Sequence, residues 1–352
     1  MNNLPNILYM ELLENNYGNK RLDYQIIKNL KAISNLTVAQ LENWFDLLPK
    51  DINVHSYKYK RTSNNRKISY YQRNLENLLV AVKLDKIYHF DYLFFASYDT
   101  YVFTLALFKI KDFNRRVFIL HHNNIDLIDK SIKLQLFFTI YAKKVNHIVF
   151  ENFIANHLKN KYGVEEKKIF HMPHPLNIVQ GIFSKYYDCV GISNSNKEEW
   201  IKEIIDFEIY SNIFKINNVK VVLRSKTMTF NDGFLKVISG YLSDEEYYYY
   251  VKSTKTIFLP FPESFKYRTS GSIIDAFSNE TSVIGSKILL FENVEKEYPS
   301  ICKVINSANE FINYLLTAET SWKNEQKEFK LFKSRHSDSE LKKIFERMFI
   351  IK

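Results

Sequence analysis

Short β-branched and aromatic runs alternate with longer amphipathic segments along most of the chain. This alternation restricts the fold more than any other feature of the sequence. In the first half the runs are Ile7–Met10, Asn53–Tyr57, Tyr92–Ser97, Val117–Leu120, His147–Phe150 and Ile169–His171. In the second half they are Asp188–Ile192, Val219–Leu223, Leu235–Ser239, Thr256–Leu259, Ser282–Gly285 and Cys302–Ile305. Each is bounded by polar residues, the form of a strand covered on both faces of a parallel sheet. Between them Asp23–Ser34, Ser69–Val82, Ser131–Lys144 and Ser195–Asp206 pattern as helices. The order implies two successive α/β units with right-handed crossovers. A length of 352 residues suits two domains at about 150 residues each.

The break falls between His174 and Gly181, where Pro173 and Pro175 interrupt regular structure and a fresh strand–helix series follows. This predicts domains over residues 1–177 and 178–336, then a closing helix within 337–352, read on Ser337–Ile350. Ser195 with Glu198, and Ser243 with Glu246, have capping-box spacing. The run Tyr247–Tyr250 reads as half-buried helix surface. Cys189 and Cys302 stand alone, without metal-ligand spacing, which argues against a disulfide scaffold and for a reducing compartment. Met1–Glu11 lacks the pattern of a signal peptide. The longest apolar runs fall short of the roughly 20 residues that span a bilayer. A net charge of +10 favours an anionic partner without choosing among nucleotide phosphate, lipid and nucleic acid.

The richest stretch for chemistry runs from Ile257 to Phe277. A buried strand ends at Pro260, a polar loop follows, and a helix starts near Ser270, Gly271 and Ser272. Free N–H groups and the positive end of the helix dipole make such a start an anion site. Gly271 has no Cβ to keep a phosphate away. Lys266 and Arg268 add charge just upstream, and Asp275, four residues after Gly271, is placed to accept hydrogen bonds from a ribose diol. The same residues also describe a capped helix with an ordinary surface aspartate.

Leu259, Pro260, Tyr267, Ser270, Gly271, Asp275, Ala276 and then Val283, Ile284 and Gly285 together resemble the donor-nucleotide motif of GT-B glycosyltransferases, especially the retaining group around glycosyltransferase family 4. Val190–Lys197 resembles the strand and basic loop that open the donor domain. Gly240–Glu246 resembles the loop and helix beside the nucleobase, and His171–Pro175 the end of the acceptor domain. The resemblance implies an α/β protein with two Rossmann-like domains facing across a crevice, its last helix packing back towards the first domain. It implies nucleotide-sugar contacts at Arg224, Gly240, Tyr241, Tyr267, Thr269, Ser270, Gly271 and Asp275, with Lys197 stabilising the leaving diphosphate. Three departures stand out. The first of the family's paired glutamates falls at Tyr267, the second is the shorter Asp275, and Ile192 replaces the arginine of the basic loop.

Other polar groups follow first-half strands, where sites of open α/β sheets gather. His121, His122, Asn123 and Asn124 follow Val117–Leu120, and His122 is the candidate for a sugar hydroxyl or developing charge. Tyr98 and Asp99 follow Tyr92–Ser97, Gly18 and Asn19 lie after the first strand, and His174 falls at the domain junction; with Asn123, all are candidates for the acceptor or sugar crevice. His171 and His174 lack further ligands for zinc.

Lys58, Lys60, Arg61, Arg66, Lys67 and Arg73 occur without an intervening acid and are interleaved with tyrosines. Such a patch suits lipid headgroups or a lipid diphosphate as well as plain solvent. Lys130–Lys144, with Leu134, Phe137, Phe138 and Tyr141, reads as core helix or as membrane-facing helix.

The sequence contains no Asp-x-Asp, so no metal is called for, and no P-loop, dinucleotide or Gly-x-Ser-x-Gly motif. With the resemblance, this predicts a metal-independent, retaining hexosyltransferase without a cofactor, using a UDP- or GDP-linked sugar. The resemblance further implies a saccharide acceptor carried on a polyprenyl diphosphate, in bacterial capsule, exopolysaccharide or lipopolysaccharide synthesis, at the cytoplasmic face of an anionic membrane and with no nucleic-acid partner. A catalytically silent GT-B subunit that binds a partner enzyme or membrane is the alternative, and net charge alone motivates a nucleic-acid binder.

Overall fold

The computed structural model describes residues 4–13, 20–42, 44–45, 48–49, 51–60, 63–181, 183–317 and 322–349. The chain divides into two units. Unit 1 comprises Met1–Pro175, Tyr267–Thr269 and His336–Lys352, and unit 2 comprises Leu176–Lys266 and Ser270–Arg335.

Unit 1 is built on strands β1 (Asn6–Glu11), β2 (Asn35–Leu41), β3 (Asn53–Tyr57), β4 (Tyr92–Ser97), β5 (Val117–Leu120), β6 (Asn146–Val149) and β7 (Ile169–His171). They pair in parallel in the order β3-β2-β1-β4-β5-β6-β7. Alternate residues of a strand point to opposite faces, so each strand feeds two cores. Ile7, Tyr9, Phe94, Phe118 and Leu120 enter one, closed by Leu22, Ile26, Ile27 and Leu30 of the helix Lys20–Lys31. Leu341, Phe345, Met348 and Phe349 of the last helix, Asp338–Phe349, complete that core. The expected packing of the terminal helix is therefore present within unit 1. Leu8, Met10, Leu93, Phe95 and Ile119 enter the other core, under the helices Arg66–Tyr88, Thr100–Ala106, Ile132–Ala142 and Asn152–Tyr162.

Unit 2 contains β8 (Tyr187–Gly191), β9 (Val221–Arg224), β10 (Phe230–Asn231), β11 (Leu235–Ile238), β12 (Thr254–Leu259), β13 (Ser282–Ser286) and β14 (Cys302–Ile305). The order is β10-β11-β9-β8-β12-β13-β14, parallel except for the antiparallel pair β10–β11. Both sheets thus reverse their strand order beside the first strand of the unit, at β1/β4 and β8/β12, as nucleotide-binding α/β folds do.

Sequence reasoning missed β2 and β10. β2 follows its helix after a short turn and carries buried Thr37 and Gln40, which blur the apolar run. The Ser195 capping box is corrected. The helix starts at Glu198 with Lys197 at the cap position and no side-chain cap bond. The Glu198 carboxylate instead accepts from Ser225 Oγ and the Lys226 N–H, fastening the turn after β9. The Ser243–Glu246 box is complete in both directions. Cys189 and Cys302 are buried free thiols.

Gly285 of β13 is required by close approach. A Cβ there would lie 2.3–2.6 Å from the Phe291 ring, which is fully buried. Gly285→Ala is expected to destabilise unit 2 by about 1–3 kcal/mol through overpacking. A chemical-denaturation midpoint unchanged from wild type would refute this.

Candidate functional site

In unit 2 the carboxyl ends of four adjacent strands gather most of the expected nucleotide residues. Arg224 ends β9, and its guanidinium donates to the Gly240 carbonyl at 2.5 Å in the loop after β11. Gly240 needs its φ of +90°, where a side chain would be strained. Tyr241, next to it, is strongly exposed. Lys197 follows β8, and its N–H donates to the Pro260 carbonyl at the end of β12 (2.7 Å). Its ammonium lies 5.0 Å from the Trp200 ring centroid and 3.8 Å from the exposed Glu263. Ser270 then caps the helix Gly271–Ser278 without a side-chain cap bond, so the first N–H groups of that helix keep no side-chain acceptor from Ser270. A Cβ built on Gly271 meets nothing within 4 Å. Two cations and a helix start with open space before it therefore lie along the sheet's switch point, an arrangement suited to an anion.

Asn196 belongs to this cluster, although sequence reasoning did not single it out. Its amide donates to the Gly191 and Arg224 carbonyls at 2.8 and 3.0 Å, and its Oδ1 is buried without a hydrogen-bond partner. It joins the ends of β8 and β9 and so fixes the basic turn. Gly191 allows that closeness, since a Cβ there would sit 2.9 Å from Leu223 and 3.1 Å from the Phe258 carbonyl.

Asp275 is half-buried and already engaged. Its Oδ1 accepts from Asn177 Nδ2 at 2.5 Å and its Oδ2 from the Tyr247 hydroxyl at 3.0 Å. Asn177 also donates to the Tyr248 hydroxyl at 2.7 Å. Two tyrosines of the run Tyr247–Tyr250 thus leave the role of plain helix surface and orient the carboxylate.

Tyr267 and Thr269 are held through residues of unit 1. Their segment clusters with unit 1, where the Tyr267 ring stacks on His157 at 3.6 Å and its N–H donates to Asp126 at 2.7 Å. Arg268 pairs with the buried Asp126 carboxylate at 2.5 Å, and Thr269 Oγ1 donates to Glu151 at 3.2 Å. The positive charge that the sequence offered at Arg268 is thus balanced within unit 1.

Unit 1 corrects three expectations. Tyr98 is core, not crevice: it is 1% exposed and its hydroxyl lies 3.2 Å from His121 Nδ1. His121 Nε2 lies 2.8 Å from His147 Nδ1, and His147 Nε2 lies 2.6 Å from the Ala142 carbonyl. A carbonyl only accepts, so the order of donation runs Tyr98 to His121 to His147 to Ala142, with both imidazoles neutral. Asp99 is a helix cap. Its Oδ1 accepts from the Tyr101 and Val102 N–H groups, and its Oδ2 from Tyr70. His122 is not a cation near neutral pH, because burial lowers its pKa to about 4. Its ring bonds the Ala96 backbone, and its Nε2 is buried without a partner. A neutral acceptor at this place suits a hydroxyl donor. Asn123 is exposed beside it. His174 packs on Phe150 at 4.8 Å, its Nδ1 lies 3.0 Å from the Pro175 carbonyl, and burial holds its pKa at about 3. Gly18 and Asn19 lie outside the described residues.

The basic patch is split. Lys58 and Arg66 line a cavity at the ends of β2 and β3, joined by Arg73, whereas Lys60 and Lys67 are exposed and are not part of its lining. Arg61 lies outside the described residues.

No protein-family model matches the sequence, and no curated protein does. Solved structures do match along the whole length. Sucrose-phosphate synthase from Thermosynechococcus elongatus superposes with a TM-score of 0.68 at 11% identity, covering 99% of this chain and 100% of that one. LpCGTa, solved in complex with UDP, gives 0.62 at 9% identity over 99% and 100% of the two chains. A glycosyltransferase from Rickettsia africae gives 0.58 at 12% identity over all of both chains. With its two Rossmann-like units and terminal helix, the chain has the GT-B fold of these glycosyltransferases.

Proposed function

We propose that the chain is a glycosyltransferase which binds a UDP- or GDP-linked sugar in unit 2 and passes the sugar to a saccharide acceptor bound by unit 1. The observation that carries this reading is the anion site at the β8/β12 switch point: Lys197, Arg224 and the open helix start at Ser270 and Gly271. The diphosphate would be stabilised there as it leaves, by fixed N–H groups and cations rather than by a metal. Asp275, oriented by Asn177 and Tyr247, would hold the ribose, with Gly240 and Tyr241 beside the base. Membership of the retaining group around family 4, transfer of a hexose, and service in bacterial surface-polysaccharide assembly belong to the same proposal. UDP bound to LpCGTa, at this fold, supports the choice of nucleotide.

A lipid-linked acceptor and a place on the inner membrane surface are supported by the helix Ile132–Ala142. Phe138 and Tyr141, expected to face outward in the membrane reading, are buried in the core. The outward stripe is Ile132, Leu136 and Ile140, flanked by exposed Leu105 and Phe108 and by exposed Lys109, Lys111, Lys133, Lys143 and Lys144. Exposed apolar side chains with exposed lysines in the same segments suit an anionic bilayer interface. No helix among the described residues is long and apolar enough to cross a membrane.

The alternative of a catalytically silent subunit is favoured by one observation. At Tyr267, where the family's first glutamate would stand, an aromatic ring is stacked on His157. The deciding experiment is a thermal-shift screen of nucleoside diphosphates and sugar nucleotides, since a ligand of the folded state raises the melting temperature. One nucleotide series is expected to stabilise the protein, and the sugar nucleotide of that series to be consumed when an acceptor extract is added. No response to any nucleotide would refute the donor site. A response without turnover would establish the silent subunit instead.

A further inference from the structure

A cavity of about 780 Å³ opens in unit 1 at the carboxyl ends of β2 and β3. Its volume is that of a small-ligand pocket. One wall is a single face of the helix Arg66–Tyr88: Arg66, Tyr70 and Arg73 recur at i, i+4 and i+7. The facing wall brings Lys58 and Tyr59 from the end of β3 and Glu42 from the end of β2. The helix face is fixed rather than floppy. Arg73 Nη2 donates to the Leu13 carbonyl after β1 at 3.1 Å, and the Tyr70 hydroxyl to Asp99 Oδ2 after β4 at 3.3 Å. Tyr59 is held through its hydroxyl, which donates to the Ser69 carbonyl at 3.2 Å.

The charges do not cancel. Three cations face one carboxylate, and Glu42 is matched by Lys58 at 3.5 Å. Arg66 has no ion pair among the described residues. Arg73 Nε is buried without a hydrogen-bond partner among the described residues. A buried N–H with no acceptor is costly in a native structure and marks a place where an acceptor is missing. The two surplus positive charges are guanidinium groups, whose forked donors match phosphoryl oxygens.

We infer that this cavity binds a phosphoryl group, a phosphomonoester or diphosphate carried by a sugar or a lipid, on Arg66, Arg73 and Lys58. That this molecule is the acceptor of the transfer rests on the proposed transferase activity; its binding to the cavity does not. The tyrosine and glutamate hydroxyl and carboxylate groups around the cations would then meet the sugar next to the phosphate.

The test is calorimetric titration of the full chain with two probes, farnesyl diphosphate below its micellar concentration and glucose 1-phosphate. Arg66→Ala and Lys58→Ala are exposed, easily folded changes; Gly271→Val serves as the control for the donor site. Binding of at least one probe is expected, weakened about tenfold or more by Arg66→Ala, weakened by added salt, and unchanged by Gly271→Val. Loss confined to farnesyl diphosphate identifies a lipid carrier, and loss of glucose 1-phosphate binding a soluble phosphosugar. No binding of either probe, or binding to the Arg66→Ala, Lys58→Ala double variant equal to wild type, overturns the inference. Failure of nucleotides to shift the melting temperature would remove the donor site and leave this result standing.

Discussion

Replacing Gly271 by valine is expected to abolish stabilisation by nucleoside diphosphates while leaving the unliganded protein as stable as before. The two effects separate because of what surrounds this residue. Gly271 is the first residue of its helix and, apart from its chain neighbours and the helix's own backbone, a Cβ there meets nothing within 4 Å, so the fold accommodates a larger side chain. In the proposed donor site an anion approaches the helix N–H groups past Gly271, and the valine side chain would crowd that approach. A ligand at 100 times its dissociation constant stabilises by about 2.7 kcal/mol, and that increment is what the variant should lose. Ser270→Ala is expected to cost a smaller part of the shift, because the Ser270 hydroxyl makes no cap hydrogen bond and is available to donate to the same anion. Differential scanning fluorimetry with and without UDP or GDP reads both variants. A valine variant that keeps the wild-type shift would place the nucleotide elsewhere.

Acid is expected to loosen unit 1 well before unit 2. All nine histidines of the chain fall in unit 1. Burial lowers the pKa of His122 and His147 to about 4 and of His174 to about 3, and lowers that of His121 by burial and by its neighbour His147. Their unfolded pKa is near 6.5. As pH falls below that value the unfolded chain takes up protons that the folded unit refuses, so stability is full above about pH 7 and declines towards pH 4. Asp23 opposes this. Burial raises its pKa to about 7, so its folded form gains a proton in the same range and offsets about one histidine. Taking the three histidines with values against this one carboxyl leaves two net protons, or about 3 kcal/mol per pH unit at the steepest. Hydrogen exchange followed from pH 7 to pH 4.5 should show the strands of unit 1 losing protection first. Earlier loss in unit 2 would contradict the burial of these imidazoles.

Much of this architecture was readable from the chain because its strands are buried on both faces. Tyr92–Ser97, Val117–Leu120, Ile169–His171 and Cys302–Ile305 are bounded in the structure as the apolar runs predict. β2 escaped because Thr37 and Gln40 are buried polar residues inside a strand, where periodicity gives no clue. In the candidate site, the residues set by a strand end or helix start, Lys197, Arg224, Ser270 and Gly271, could be placed from local sequence. The partners that orient Asp275 could not: Asn177 and Tyr247 are separated from it by 98 and 28 residues, and only tertiary packing joins them. Tyr98 and Asp99 misled for a related reason. Position after a strand marks a side chain as near the sheet's active edge, but core packing and helix capping compete for the same positions.

Unit 1 is assembled from three separate stretches of chain, and Leu341, Phe345, Met348 and Phe349 supply one wall of its core. A ribosome extends the chain from its amino end, so the sheet of unit 1, whose strands end at His171, waits for the helix Asp338–Phe349 before its apolar floor is covered. Unit 2, whose stretches end at Arg335, has its whole complement sooner. Synthesis therefore reverses the usual precedence of amino-terminal domains. The lobe whose sheet is made earlier is completed later, and holdase chaperones would meet it bare on that side while the chain between Met172 and Ser337 is synthesised.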